Sequence, residues 1–575
     1  MHTDYVNPAL RQLRDQQVRF APREKKIEQV NRAARGLSIP RQHSPWLPAL
    51  PWSVQLTDIG PATGDGPRAG RGEITAPFGI EDLPEHQLQR PAVINLETFS
   101  HLMAAGAPRS GRSQLLRTIA GTLALEHSCA DVHMYGIDCG NGALLPLADL
   151  PHCGAVVTRT QTERAVRLIG RLDGELSRRQ ELLADGGFAD VTEQRSVVRP
   201  DERLPHIVVF LDRWEGFTTT LGELDAGRLT EKVTRILGEG ASVGIHLVMT
   251  GDRALLAGRI SALCEEKLVF KLAEKDDFAL AGLRPRDMPD EIPPGRAFRT
   301  GSGVEVQVAL LGPDATGQGQ AAALREIAAS RAARDAPAAA RRPFRVDVLP
   351  ARITFDAAWD MRPPSGTGPL WGLVGVGGDE LTASGPDLAG GVPAFIVAGP
   401  AKSGRSVILE SMTRSFLAAG TPVVLAAPRP SPLRALSSSD GVLRVFTGDD
   451  LDEEEFAAVL AAAGSRCAVV IDDAEMLKNC DASGELSRII SFGADSGRAL
   501  VFAGDPDGIC MGFSGWQVDA RRARRGCLTA PQTLPEGDLI GVRLTHGLLG
   551  QQARPGRCLL NVGDGKLITV TVPVG

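Results

Sequence analysis

Two eight-residue stretches carry the clearest chemistry in this chain. Gly106, Ala107, Pro108, Arg109, Ser110, Gly111, Arg112 and Ser113 form the first, and Gly399, Pro400, Ala401, Lys402, Ser403, Gly404, Arg405 and Ser406 form the second. Both read G-x-x-x-x-G-R-S, which departs from the phosphate-cradling pattern G-x-x-x-x-G-K-[ST] at one place, arginine for lysine. In such a loop the amides of a glycine-rich turn at a helix N-terminus wrap phosphate oxygens, a cation meets the outer phosphates, and the hydroxyl binds Mg2+. Arg112 and Arg405 keep the charge. A guanidinium is broad and planar where a lysine ammonium is compact, so it must meet the phosphates differently. ATP with Mg2+ is the expected ligand of each loop.

An apolar run ends in aspartate in each half, HIVVFLD at Asp212 and CAVVIDD at Asp472. A carboxylate at the end of a strand completes the Mg2+ shell, so Ser113 with Asp212 and Ser406 with Asp472 are the expected metal pairs. Hydrolysis also needs a carboxylate next in sequence to polarise water. Arg213 stands there in the first half and the short Asp473 in the second. Asp212, Asp472 and Asp473 are therefore weak catalytic candidates, and low or no hydrolysis is expected. Glu215 and Glu475 read as solvated loop residues, with a substitute role in turnover as the alternative. The strand GIHLVMTGDR offers Thr250 as a polar sensor and Arg253 as an arginine-finger candidate, and the second half has Ala503 and Pro506 instead.

These residues need strands to deliver them and helices to receive them. HLMAA precedes Gly106 and PAFIVA precedes Gly399, while QLLRTIAGTLALEH and VILESMTRSFLAAG follow with helical apolar spacing. The expected fold is α/β, two tandem RecA-like P-loop domains, each a mainly parallel sheet flanked by helices. The loops lie 399 − 106 = 293 residues apart, and Gly79 in PFGIED and Gly372 in WGLVGV repeat that offset. Pro-Gly-Arg recurs 295 − 212 = 83 and 556 − 472 = 84 residues past the aspartates. The loop-to-aspartate interval shrinks from 212 − 106 = 106 to 472 − 399 = 73, so the second domain is trimmed. Expected boundaries are a helical and linker extension over 1–45, a first domain over 46–334, a linker over 335–343 (DAPAAARRP) and a second domain over 344–575.

At 575 residues with 43% hydrophobic and 23% charged, the chain can fill two large cores. Its 63 basic and 69 acidic residues give a formal charge of −6, which excludes a global positive field for nucleic acid or anionic membrane. A local basic run, Arg521, Arg522, Arg524 and Arg525, reads as a solvated face or subunit contact, with phosphate neutralisation as the alternative. Nine scattered cysteines without a CxxC pair argue against a disulfide framework or a zinc site and favour a reducing cytosol. Neither a signal-type start nor an apolar run of about 18 residues is present, so this chain is not expected to cross a membrane.

Taken together, WLPALP, PFGIEDLPEHQLQRPAVINL, GAPRSGRSQLLRTIA, YGIDCGNGALLPLADLPHCGAVVTR, ASVGIHLVMTGDR and EKLVFKLAEKDDFALAGLRPRDMP resemble the FtsK/SpoIIIE superfamily, and within it the second and third ATPase domains of EccC-type proteins of type VII secretion systems. The likeness spans residues 45–575 and is more specific in the first half. It implies tandem RecA-like domains, a homo-oligomer that can reach a hexamer, and an upstream membrane-anchored ATPase part as partner. On this resemblance the chain is a C-terminal portion or split-gene product of the EccCb kind, cytoplasmic and peripheral at the membrane through that partner. The resemblance further implies tight ATP binding with little turnover, and docking of the C-terminal signal of small helical secreted substrates on the final domain. The superfamily also contains DNA translocases, so DNA is the competing partner, although no winged-helix tail follows the last strand. A third reading makes the second domain a nucleotide-free partner-recognition module.

Overall fold

The structure is a computed structural model that describes residues 32–33, 36–37, 47–59, 73–336, 341–365, 367–510, 514–549 and 556–575. The extension read over 1–45 lies outside these residues apart from four positions, as do 337–340 of the expected linker. The chain divides into two compact units, Met1–Arg345 and Val346–Gly575.

The first unit has ten strands: β1 (Thr75–Leu83), β2 (Leu88–Asn95), β3 (Leu102–Ala105), β4 (Val132–Asp138), β5 (Cys153–Thr158), β6 (His206–Asp212), β7 (Ile245–Gly251), β8 (Glu266–Phe270), β9 (Arg296–Arg299) and β10 (Glu305–Val308). Their order in the sheet is β2-β1-β10-β9-β8-β3-β7-β6-β4-β5. From β8 to β5 neighbours run parallel. The remaining strands add antiparallel pairs at one side. The second unit has β11 (Gly375–Gly377), β12 (Thr382–Ser384), β13 (Ala394–Ala398), β14 (Val423–Ala426), β15 (Val442–Phe446), β16 (Cys467–Ile471), β17 (Arg498–Gly504), β18 (Gly526–Leu528), β19 (Arg557–Asn561) and β20 (Ile568–Thr571). Their order, β12-β11-β20-β19-β18-β13-β17-β16-β14-β15, repeats the first strand for strand. The mainly parallel α/β sheet expected from the sequence is thus present twice.

β6 and β7 are buried along their whole length, which is why they read as nearly unbroken apolar runs: helices cover a parallel sheet on both faces. Helix α1 (Arg112–Glu126) packs Leu115, Leu116, Ile119 and Leu123 into a core with Phe78, Phe210 and Phe270. Helix α3 (Arg405–Ala418) does the same in the second unit with Ile408, Leu409, Met412 and Phe416. The trimming sits between the fifth and sixth strands. There the first unit inserts helix α2 (Thr162–Gly186) and a short helix Val191–Val197, against a single helix Glu453–Ala462 in the second.

One upstream landmark moves. A Cβ on Gly79 would stand 2.3 Å from the Gln307 carbonyl oxygen, and the glycine seated alike in the second unit is Gly375, 2.6 Å from the Thr571 carbonyl oxygen. The offset there is 375 − 79 = 296, not the 293 suggested by Gly372, which faces Met412 and Phe416 instead. WGLVGVGG is glycine-rich, so spacing alone could not select the right one, and the second unit's first hairpin is shorter.

The Pro-Gly-Arg repeats close each sheet in the same way. Gly295 and Gly556 adopt positive φ (84° and 81°), and their carbonyls accept the amides of Val308 and Val572 at 2.9 and 2.7 Å. Arg296 then donates to the Leu50 and Pro51 carbonyls at 2.9 and 3.1 Å, and Arg557 to that of Leu349 at 3.3 Å. Each closing hairpin ties down its own Leu-Pro lead-in, a repeat missed at the level of sequence.

Candidate nucleotide-binding sites

β3 feeds the first loop into α1, and β13 feeds the second into α3. The loops share a backbone: φ is 65° at Arg109 and 107° at Gly111, 64° at Lys402 and 99° at Gly404. Among the described residues the amides of Arg109, Gly111, Arg112 and Ser113 donate to no protein acceptor, and neither do those of Lys402, Gly404, Arg405 and Ser406. Bare amides at a helix N-terminus favour an anion. The first loop is braced further, because the Gly106 and Ala107 amides donate to the Gly251 and Lys271 carbonyls and the Gly295 amide to the Ser110 carbonyl, at 3.1, 2.7 and 2.8 Å. Pro400, lacking an N–H, cannot repeat the Ala107 contact.

Three of the first unit's expected residues come together. Ser113 Oγ lies 3.0 Å from both Asp212 oxygens, and Thr250 Oγ1 donates to Asp212 Oδ1 at 2.6 Å while accepting the Arg213 amide at 2.9 Å. Burial pushes the Asp212 carboxyl above its ordinary value, with Thr250 opposing and the nearby Asp138 adding to the rise. Arg112 is buried beside them. Its Nη2 stands 3.6 Å from Glu215 Oε1, but Nη1 has no partner, and neither does the buried Ser110 Oγ. Burial holds the Arg112 guanidinium below its ordinary value, with Glu215 and then Asp212 opposing. Buried charges are ordinarily paired, so an orphaned guanidinium N–H beside bare amides suits a phosphate.

Glu215 and Glu475 are not solvated loop residues. Glu215 Oε2 accepts the Asp252 amide at 3.2 Å and Glu475 Oε2 the Asp505 amide at 3.3 Å. The chain turns through left-handed backbone at Arg213 (φ 67°) and Asp473 (φ 47°), which carries the third residue back over the exit of the neighbouring strand. Arg253 is two-thirds exposed and pairs with Asp277 at 3.1 Å rather than joining the Ser113, Asp212 and Thr250 cluster.

The second loop is engaged internally. Arg405 donates from Nη1 to the Gly399 carbonyl at 2.9 Å and from Nη2 to Asp473 Oδ1 at 3.2 Å. Asp472 accepts from Ser431 Oγ at 2.6 Å and from the Asp473 amide at 3.0 Å; no hydrogen bond joins it to Ser406. Burial raises the Asp473 carboxyl, Asp472 adds to the rise, and Arg405 opposes it. Ser431 escaped the sequence reading because it comes from the loop after β14, outside either motif. The arginine run is only partly a solvated face: Arg522 and Arg524 are exposed, whereas Arg525 is buried and Arg521 half-buried. Arg525 donates to the Ala394, Asp387, Gly390 and Val392 carbonyls, Arg521 to that of Ile509, and Arg522 pairs with Asp519 at 3.3 Å.

Residues 76–262 match the FtsK/SpoIIIE family model. The first unit carries an FtsK/SpoIIIE domain. Relatives extend the likeness beyond it. EccC4 of the ESX-4 secretion system of Mycobacterium tuberculosis is 27% identical over 398 residues, covering 66% of this chain and 28% of that protein. The EccC protein of Thermomonospora curvata is 28% identical over 403 residues, covering 67% and 29%. The chain is therefore similar to the EccC and EssC ATPases of type VII secretion, and it spans less than a third of the length of the two EccC relatives. Among solved structures, ATPases 2 and 3 of EssC from Geobacillus thermodenitrificans superpose with a TM-score of 0.68 at 18% identity, covering 92% of this chain and all (100%) of that one. ATPases 2 and 3 of Thermomonospora curvata EccC, solved in complex with a signal sequence peptide, give 0.59 at 20% identity, covering 92% and 100%. These superpositions establish the fold, tandem P-loop ATPase domains. Among the described residues no helix is long and apolar enough to cross a membrane.

Proposed function

We propose that this chain binds ATP in its first unit with little turnover and serves a type VII secretion system by recognising secreted substrates. The observation that carries the binding is the orphaned Arg112 Nη1, buried beside the bare amides of Arg109, Gly111, Arg112 and Ser113 with the Ser113–Asp212 pair alongside. Arg112 and the loop amides would hold the phosphates, and Ser113 and Asp212 the Mg2+. Low turnover rests on Arg213, which offers no base where a carboxylate would activate water. Nucleotide held only by the ordered state stabilises that state by mass action, so ATP acts here as a structural and regulatory ligand. The partners in this reading are an upstream membrane-anchored ATPase part, further copies of the chain and, on the second unit, the C-terminal signal of a small helical substrate, all at the cytoplasmic side of the membrane.

A second reading concerns the second unit alone. Arg405 is already paired with Asp473 and the Gly399 carbonyl, which favours a nucleotide-free recognition module. Nucleotide released on denaturing the purified full chain tests both: ATP rather than ADP, at about one equivalent, is expected if the first unit alone binds, and about two if both do. Steady-state hydrolysis that rises with duplex DNA would replace the secretion reading with the translocase one. Titration of a secreted substrate's C-terminal helix against the full chain checks recognition, and no binding at high micromolar concentration refutes it.

A further inference from the structure

We infer that Arg213 is a second phosphate-binding guanidinium, making the first site selective for a triphosphate over a diphosphate; this rests on the nucleotide binding proposed for that unit. Arg213 follows Asp212 and its backbone is fixed, with φ at 67° and its amide donating to Thr250 Oγ1 at 2.9 Å. Its side chain runs through a notch left open by Gly140. A Cβ there would stand 3.0 Å from Asp212 Oδ2 and 3.1 and 3.2 Å from Nε and Cδ of Arg213. Gly140 and Arg213 follow the C-terminal ends of β4 and β6, the same edge of the sheet from which β3 feeds the phosphate loop. Arg213 is half-buried, and among the described residues it forms no side-chain hydrogen bond or ion pair.

The second unit supplies an independent observation. β4 and β14 pair in the same register with β6 and β16, so the loop position of Gly140 corresponds to Arg429. There the arginine occupies the other position: Asp473 stands for Arg213, Arg429 stands for Gly140, and Arg429 Nη1 lies 3.6 Å from Asp473 Oδ1 and 3.8 Å from Glu475 Oε1. Beyond the arginine that takes the lysine position of each loop, each unit therefore has a further guanidinium after the strand that carries the aspartate or after the strand beside it. A planar guanidinium can grip phosphate oxygens with paired N–H donors, and a second one is needed most where the terminal phosphate adds charge.

The test uses the full chain with Mg2+, photolabelling by 8-azido-ATP in competition with ATPγS or ADP, and label assigned to first-unit or second-unit peptides. In the native chain, first-unit label is expected to be displaced by ATPγS at concentrations about tenfold lower than by ADP, the effect of one additional charge-assisted contact. Arg213→Ala should weaken ATPγS about tenfold while shifting ADP by less than about twofold, and Arg213→Lys should restore part of the loss. The ligand-free melting temperature should change little, because among the described residues the side chain has no hydrogen-bond or ion-pair partner to lose. If Arg213→Ala leaves ATPγS unaffected, or weakens ATPγS and ADP alike, the role assigned to Arg213 is wrong while nucleotide binding stands. Absence of first-unit label in the native chain overturns the binding itself and this inference with it.

Discussion

Where the first unit has Arg213 the second has Asp473, and that carboxylate holds Arg405 at 3.2 Å. An arginine paired in this way must leave its partner before meeting phosphate, so the pair competes with any anionic ligand. Asp473→Ala should therefore raise nucleotide affinity of the second unit about tenfold, read as photolabel on peptides containing residues 399–406; unchanged labelling would show that the ion pair does not gate the loop. Thr250 is the corresponding lever in the first unit. It donates to Asp212 and accepts from the Arg213 amide, and both partners lose a hydrogen bond in Thr250→Val. The expected cost is about 1–3 kcal/mol in chemical denaturation of the full chain, carried by the first unit's transition.

The elements that present these residues differ in how tightly they are braced. Gly111 and Gly404 share a left-handed backbone, but a Cβ on Gly111 would come within 2.6 Å of the Gly295 amide nitrogen, while one on Gly404 meets nothing within 4 Å among the described residues. Gly404→Ala should cost the strain of that backbone alone, about 1–2 kcal/mol, and Gly111→Ala distinctly more, because the closing hairpin must shift. Comparing the melting transitions of the two variants checks this, and equal losses would show that the brace carries no stability. The phosphate loops and the aspartate-ending strands were legible in the sequence because their chemistry needs consecutive residues at fixed spacing. The sheet edge was not. β1 pairs with β10 across 308 − 79 = 229 residues, and nothing local in PFGIED announces that partner. Glu215 was visible at its spacing, but its destination depends on the left-handed turn at Arg213, and the arginine run hid that Arg525 serves backbone carbonyls.

The two units should also respond differently to acid. Burial pulls His101 and His133 down to about 4, and it lowers His127, His152, His206 and His246 as well. All six belong to the first unit, whereas the second contains only His546. Unfolded histidine takes up its proton near pH 6.5 and the folded groups resist until lower pH, so the first unit keeps this stability above about pH 6.5 and loses it as pH falls toward 4. His101 and His133 would each contribute roughly 3 kcal/mol of that loss. Calorimetry between pH 7 and 4.5 should show the first unit's transition moving to lower temperature faster than the second's, and parallel movement would contradict the assignment. Topology also sets an order of events during synthesis. The Gly295 amide that steadies Ser110 leaves the ribosome 295 − 110 = 185 residues after it, and the strand that closes the sheet follows later still. A nascent chain thus displays its first glycine-rich turn long before it can firm it up, and any early-arriving nucleotide meets an unfinished pocket.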